Sequence, residues 1–189
     1  MTSAQSFNMR LLARHDLQGF GGMGEGMGLQ LARGGRRILW LAHESAPKNF
    51  TGVDVTDPRS PRVIVQTDLP HAMMRSNSLD VVGDTLAVAY QASSPGMKPA
   101  GFELFDVSTP EEPRLITHFD CSGQWSRGVH VLWFVDGETI HMSAGAPDFQ
   151  PRNQKDDQFY RIIDVRNPSK PSEIGRWWTI PGQHFLILT

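Results

Sequence analysis

The side chains best suited to ligand chemistry in this sequence stand at the start of three similar segments. When Leu29 is aligned with Leu79, Glu25 falls opposite Arg75, and the third segment, SRGVHV, supplies Arg127. Arginine binds anionic and polar groups through two parallel hydrogen bonds. These matched but chemically different positions predict a site for an anionic or polar ligand. The alternative is a salt bridge between Glu25 and one arginine, with no ligand involved.

Three further polar residues accompany these charges. Asn77 and His130 follow two or three residues later, and His71 lies just ahead of the second segment. Their side chains offer both hydrogen-bond donors and hydrogen-bond acceptors. The predicted ligand-binding residues are therefore Glu25, His71, Arg75, Asn77, Arg127 and His130. The sequence leaves the catalytic residues unknown, because it contains no nucleophile elbow, P-loop or pair of catalytic carboxylates, and it does not decide whether the protein is an enzyme.

Histidines raise a second kind of chemistry, metal binding. Imidazole is a preferred ligand of copper, zinc and iron, so His71, His130 and His43 could hold a divalent transition metal. However, the chain has one cysteine and lacks both H-x-H and HExxH spacing. The sequence therefore requires no cofactor, and a transition metal is the only one that its histidines suggest.

A glycine-rich stretch at 19–24, GFGGMG, matches the G-x-G-x-x-G pattern of dinucleotide-binding folds. That pattern binds pyrophosphate only where it follows a buried strand and opens a helix. Here more glycines and then a strand-like run come next. We interpret the stretch as a backbone that approaches its neighbours closely where the chain enters the first strand.

Composition excludes several classes of protein. The 189 residues are 39% hydrophobic and carry a net charge of −2, so no basic field exists to gather nucleic acid or anionic lipid. No run approaches the roughly 20 apolar residues of a membrane span, and the first residues do not resemble an export signal. We therefore predict a soluble cytoplasmic protein that binds neither nucleic acid nor membranes.

One phrase, D-V-x-x-P-x-x-P, occurs three times and indicates the elements that position these residues. It begins at Asp54, Asp106 and Asp164, which are 52 and 58 residues apart. Strand-like runs such as FELFDV and RLITHFD flank the phrase, whose prolines cannot continue a β-ladder. The phrase is therefore predicted to be a loop between two strands, with its aspartate accepting backbone N–H bonds.

A second pair of apolar runs precedes each phrase, separated by turn signals such as Gly34 and Gly35. Each segment of about 50 residues thus contains about four short strands, which is the pattern of a β-propeller blade. Runs such as ILWLA and LAVAY are apolar on both faces, as expected for a sheet between two others. The prediction is an all-β fold of about three blades, each of four antiparallel strands.

This unit, an apolar hairpin followed by a strand that ends in Asp-Val and then by P-x-x-P, resembles the LVIVD-repeat β-propellers. More distantly it is similar to the selenium-binding-protein propellers. The resemblance implies a lead-in at 1–23, blades at 24–74, 75–126 and 127–182, and a divergent tail or the start of a further blade at 183–189. It also places the candidate ligand residues on inner strands that face a central funnel.

Three blades are fewer than the roughly four to eight that close a ring. The chain is therefore predicted to be either an incomplete, N-terminal portion of a propeller or half of a ring that a homodimer completes. A change in the pattern after about Pro181 favours a truncated or frame-disrupted chain.

The functional predictions follow from the resemblance and from the candidate residues. The first is a scaffold of uncharacterised activity that binds a small polar ligand or a protein partner at its funnel. The alternative is a metal-dependent oxidoreductase similar to the selenium-binding-protein propellers. A calcium-dependent, lactonase-like hydrolase would use Glu25 and Asn77 as oxygen ligands, but one carboxylate is too few.

Overall fold

A computed structural model of the chain describes residues 8–20, 23–153, 156–180 and 183–188. These residues form β-strands and two short 3-10 turns, and they include no α-helix. The all-β prediction is therefore confirmed. The strands are β1 (Met23–Leu31), β2 (Arg37–His43), β3 (Lys48–Asp54), β4 (Arg62–Asp68), β5 (Met74–Arg75), β6 (Leu79–Val82), β7 (Thr85–Ala92), β8 (Gly101–Asp106), β9 (Arg114–Asp120), β10 (Ser122–Gly123), β11 (Ser126–Arg127), β12 (Val129–Phe134), β13 (Thr139–Ala144), β14 (Phe159–Asp164), β15 (Ser172–Ile180) and β16 (Gln183–Leu188).

Most of these strands belong to three antiparallel sheets that follow one another along the chain. Sheet 1 has the order β1-β2-β3-β4, and sheet 3 has the order β12-β13-β14-β15-β16. Sheet 2 runs β6-β7-β8-β9, with the short β5 also paired to β7. Within each sheet, consecutive long strands are hydrogen-bonded neighbours. Strand β16, in the predicted tail, pairs with β15 as a fifth strand of sheet 3.

The aspartate of each repeated phrase closes the same turn at the end of the third long strand of its sheet. Its Oδ1 atom accepts a hydrogen bond from the backbone N–H two residues later, which is the Asx-turn geometry that asparagine and aspartate favour. The prediction for these aspartates is therefore confirmed. The donor–acceptor distances are 2.9 Å from Thr56 to Asp54, 2.8 Å from Ser108 to Asp106 and 2.9 Å from Arg166 to Asp164.

The three sheets pack face to face and form two hydrophobic cores. Sheet 1 contributes Trp40 and Phe50 to the first core, and sheet 2 contributes Leu86 and Val88. The opposite face of sheet 2 packs on sheet 3 in the second core. Both faces of β7 are thus buried, as the apolar run LAVAY predicts. Burying each large apolar side chain stabilises the fold by about 1.5–3 kcal/mol.

The first long strand of each sheet lies beside its counterpart in the next sheet. Strand β1 contacts β6, and β6 contacts β12. The approach is close because β1 has glycines there, and a Cβ at Gly26 would stand 2.1 Å from the backbone nitrogen of Leu79. Between β6 and β12, Oγ of Ser78 accepts a hydrogen bond from N–H of Leu132 at 3.1 Å. We call β1, β6 and β12 the inner strands.

The described part of the predicted lead-in covers part of the outer face of sheet 1. Leu17 is buried there against Leu41 and Val53. Residues 1–7 and 21–22 lie outside the described residues, so the GFGGMG stretch is described only in part. Its last two residues begin β1, a strand and not a helix, as the interpretation against a dinucleotide site requires. The described residues include no helix long and apolar enough to cross a membrane.

Two predictions from the sequence need correction, namely that the Trp133–Phe134 pair fills the core and that the polar loop 147–158 is solvated, including Asp157. Of the aromatic pair in β12, Phe134 is buried, but Trp133 is exposed on the far face of sheet 3. The Asp157 side chain is instead completely buried, because it pairs with an arginine.

Candidate functional site

A cavity of about 350 Å³ lies where the ends of strands from sheets 1 and 2 meet the short strand β11. Strand β2 leads into it, β5 and the end of β7 form its walls, and β11 closes it. Both arginines predicted from the repeat lie in its lining. Its principal lining side chains are Glu44, Met73, Arg75, Gln91, Ser93 and Arg127.

Arg75 joins the two sheets at this cavity. Its guanidinium donates to Oε1 of Gln91 through Nε at 3.0 Å and through Nη2 at 2.6 Å. Its Nη1 atom makes an ion pair with Glu44 at the end of β2. The side chain of Arg75 is thus held firmly in the cavity lining, although about one-third of it remains exposed.

Arg127 is held by the carboxylate of Asp157. The Nε and Nη2 atoms of Arg127 each lie 2.8 Å from a different oxygen of Asp157, in a bidentate pair. The hydrogen bonds to Asp157 raise the pKa of Arg127 above its ordinary value. The pair leaves Nη1 of Arg127 with no hydrogen bond to any described residue, although the residue lines the cavity.

His130 extends this network from β12. Its Nδ1 atom lies 3.1 Å from Oε1 of Gln91. Because Oε1 is an acceptor, Nδ1 must carry the proton, which leaves Nε2 as an acceptor in the neutral ring. Gln91 thus receives hydrogen bonds from both Arg75 and His130, and its Nε2 amide donates to none of the described residues.

The cavity therefore combines fixed donors with balanced charge. Nη1 of Arg127 and Nε2 of Gln91 have no hydrogen bond to a described residue, and both side chains line the cavity and are positioned by bonds to protein neighbours. Glu44 offsets the charge of Arg75, and Asp157 offsets that of Arg127. Such a site suits a small polar molecule that presents acceptor oxygens. It does not concentrate positive charge.

The other predicted ligand residues do not join this cavity. Glu25 is exposed, and it pairs with neither arginine, so the predicted Glu25–arginine salt bridge is wrong. Asn77 is buried, and its carboxamide makes no hydrogen bond to a described residue. The strand register places Leu29 opposite Leu39 and Val81 opposite Leu86. When positions are counted from the phrase aspartate of each sheet, Leu29 is equivalent to Val81 and not to Leu79. The alignment predicted from the sequence is therefore shifted by two residues.

The three histidines proposed as metal ligands have separate partners. Nε2 of His43 is buried 2.7 Å from Oγ1 of Thr51. Nε2 of His71 lies 2.9 Å from the carbonyl oxygen of Lys98. His130 bonds to Gln91, as described above. Within the ranges that the structure describes, no group of three His, Cys, Asp or Glu residues could hold a metal ion. The geometry therefore gives no support to a site built from His43, His71 and His130.

Sequence reasoning missed Glu44, Gln91 and Asp157. Gln91 could have been predicted from the sequence, because it directly follows Tyr90 on the strand that pairs with the segment containing Arg75. Glu44 directly follows His43 but matches no repeated pattern. Asp157 is 30 residues from Arg127 and lies in an insertion that the other two segments lack, so local spacing carries no signal for it.

Comparison with known proteins adds no assignment to this geometry. The chain matches no protein-family model and no curated protein at a significant level. The functional conclusion therefore depends on the fold and on the cavity.

Proposed function

We propose that the chain is a β-propeller scaffold, similar to the LVIVD-repeat propellers, that binds a small polar ligand in the cavity lined by Arg75, Gln91 and Arg127. Three antiparallel meanders that stack face to face, with their first strands side by side, support the propeller arrangement. In this arrangement the sheets are blades, and the cavity lies at one mouth of the funnel.

A single observation carries the ligand proposal. Donors from different elements, Gln91 of β7 and Arg127 of β11, line one cavity while their other atoms are bound to protein partners. A donor that is already fixed loses little conformational entropy when a ligand binds. The ligand class is therefore a small molecule with carboxylate, carbonyl or hydroxyl oxygens.

A thermal-shift titration tests this proposal. The purified chain is heated with succinate, glycine, glucose and related small acids and polyols, because these probes differ in charge but all present acceptor oxygens. A ligand at its dissociation constant raises the unfolding free energy by only about 0.4 kcal/mol, so each probe is used at a large excess. We expect at least one probe to raise the melting temperature.

The matched variants are Arg127→Lys and Arg59→Lys. The first preserves the charge beside Asp157 but removes the guanidinium edge, and the second makes the same change in an exposed loop. We expect Arg127→Lys to lose the shift and Arg59→Lys to retain it. The proposal would be contradicted if a probe raised the melting temperature of both variants equally. It would also be contradicted if no probe stabilised the unmodified chain.

A metal-dependent enzyme is not the function that this geometry favours. The three candidate histidines, His43, His71 and His130, bond to Thr51, Lys98 and Gln91 respectively and do not converge, which favours the binding scaffold. We therefore do not assign the oxidoreductase or hydrolase activities that the resemblance implied.

A further inference from the structure

Sheets 1 and 3 each have one face that no other sheet of the described chain covers. On sheet 1 this face presents Met27, Leu29 and Leu31 of β1, which we call the β1 stripe. On sheet 3 it presents Trp133 and Val135, which we call the β12 stripe. Their exposed fractions range from 54% for Leu29 to 76% for Leu31. Contiguous exposed apolar side chains of this kind mark interaction surfaces.

The position that matches Met27 is buried in both of the other sheets. Met27 of sheet 1 and Leu79 of sheet 2 are equivalent positions. Their partners Leu41 and Val88 each pair in turn with the residue three positions before the phrase aspartate of the same sheet. Yet Met27 is 64% exposed, whereas Leu79 is 3% exposed because sheet 1 covers it. The face of sheet 1 thus lacks the neighbour that the same face of sheet 2 has.

The β12 stripe shows the converse relationship. By the same register, Trp133 of sheet 3 occupies the position of Gly28 in sheet 1. Gly28 is buried against Val81 of the next sheet, but Trp133 is 62% exposed. A large aromatic side chain at this position is costly to leave in water, since removing its apolar ring from solvent is favourable.

We infer that these two stripes are one interface, in which the β12 stripe of one copy packs on the β1 stripe of a second copy of this chain. This inference rests on the propeller arrangement proposed above. The occupant is identified by continuity with the interfaces inside the chain, where one such face always covers the other. When two copies are related by a two-fold axis, the β12 stripe of each copy covers the β1 stripe of the other. Three sheets from each copy then form a ring of six blades.

The register inside the chain also predicts the contacts between copies. Gly28 of β1 packs on Val81 of β6. The equivalent contact across the new interface joins Trp133 of one copy to Leu29 of the other. Two residues further along the strands, Val135 meets Leu31. Leu17 already covers Leu41 and Val53, so the second copy packs on the inner strands and not on the whole face.

Light scattering during size exclusion gives the first test. The unmodified chain should have twice the 21.1 kDa mass of one copy, and Leu29→Asp or Trp133→Asp should return it to a single copy. The control is Leu115→Asp, which introduces the same charge at an exposed leucine of β9 outside both stripes. A monomer in the unmodified chain, or a dimer that survives both stripe variants, would overturn the inference.

A cysteine pair keeps the test valid if an aspartate variant fails to fold. Leu29→Cys and Trp133→Cys are made in separate chains, mixed and oxidised. The mixture should give a covalent dimer that reductant dissolves, while each chain alone should give little. Cys121 does not compete, because it is buried and burial raises its pKa to about 11. Failure of the mixed pair to cross-link in folded protein would overturn the predicted register.

This outcome is separable from that of the proposed function. All the side chains that line the cavity belong to one copy, and none of them belongs to either stripe. A monomeric variant that still binds a probe would refute only the dimer. A dimer without ligand binding would refute only the cavity.

Discussion

The carboxylate of Asp157 holds the guanidinium of Arg127 through two hydrogen bonds of 2.8 Å, although the two residues are 30 positions apart. Asp157 is fully buried, whereas Arg127 is about one-third exposed and lines the cavity. The pair therefore has one side in the protein interior and one side at the cavity. It leaves the Nη1 atom of Arg127 without a hydrogen bond to any described residue.

Removing this carboxylate should destabilise the protein. Asp157→Asn loses a charged, bidentate partner of Arg127, and hydrogen bonds to charged groups contribute about 2 kcal/mol. We expect the melting temperature to fall by about 4–8 °C, as measured by calorimetry. Asp156→Asn is the control, because Asp156 is exposed and only its backbone is hydrogen-bonded. Equal effects of the two changes would show that the buried pair contributes nothing.

The phrase aspartates should make stability depend on acid. Hydrogen bonds from Ser108 lower the pKa of Asp106 from 3.8 to about 2, and hydrogen bonds from Arg166 lower the pKa of Asp164 similarly. Because both pKa values are depressed in the folded state, the stabilisation is complete above about 3.8 and is lost as the pH falls toward 2.

The corresponding measurement is the melting temperature at pH 5 and at pH 3. Asp106→Asn retains an acceptor for the turn but cannot titrate, so it should show a smaller loss between these two values than the unmodified chain. Asp156→Asn, a change at an exposed aspartate of which only the backbone is hydrogen-bonded, should leave the loss unaltered. If Asp106→Asn loses as much melting temperature between pH 5 and pH 3 as the unmodified chain does, the acid response does not come from Asp106.

Gly128 should resist substitution because of its position beside the cavity. Its φ is +93°, and an added Cβ would lie 2.4 Å from the carbonyl oxygen of Tyr90. Gly128→Ala is therefore expected to cost about 3 kcal/mol or more. Gly34→Ala shares the positive φ but meets nothing within 4 Å, so it should cost only about 1 kcal/mol. Chemical denaturation of both variants would reveal whether this difference exists.

Asn77 presents the opposite case, a buried residue whose loss should stabilise the fold. Neither atom of its carboxamide bonds to a described residue, and an unsatisfied buried polar group costs about 1–3 kcal/mol. Asn77→Leu is expected to raise the unfolding free energy by about 1 kcal/mol in denaturant titrations. A loss of stability instead would mean that the carboxamide has a partner that water or another molecule supplies.

Much of the fold could be predicted from the sequence because it depends on local and repeated signals. The aspartates at 54, 106 and 164 mark equivalent turns, and alternating strands and turn residues determine the meanders. The apolar run around Val88 correctly indicated a sheet that is covered on both faces. The strand register was harder to predict, because a shift of two residues preserves the apolar pattern. Such a shift explains why the sequence alignment wrongly matched Leu29 with Leu79.

The candidate site was predictable only in part. Arg75 and Arg127 were identified because they precede repeated strands, and both line the cavity. Their partners Glu44 and Asp157 were not, because ion pairs between distant segments depend on tertiary packing. The far face of sheet 3 was also misjudged, as the sequence alone does not tell a buried tryptophan from the exposed Trp133.

The central claim is that the cavity beside Gln91 and Arg127 is the binding site, and amide chemical-shift mapping by NMR tests it most directly. The labelled chain is titrated with the probe that gives the largest thermal shift. The account predicts saturable shifts at the amides of Met74, Gln91, Ser93 and Arg127, and no shifts in Arg127→Lys. Saturable shifts confined to other parts of the chain, such as the far face of sheet 3, would contradict it.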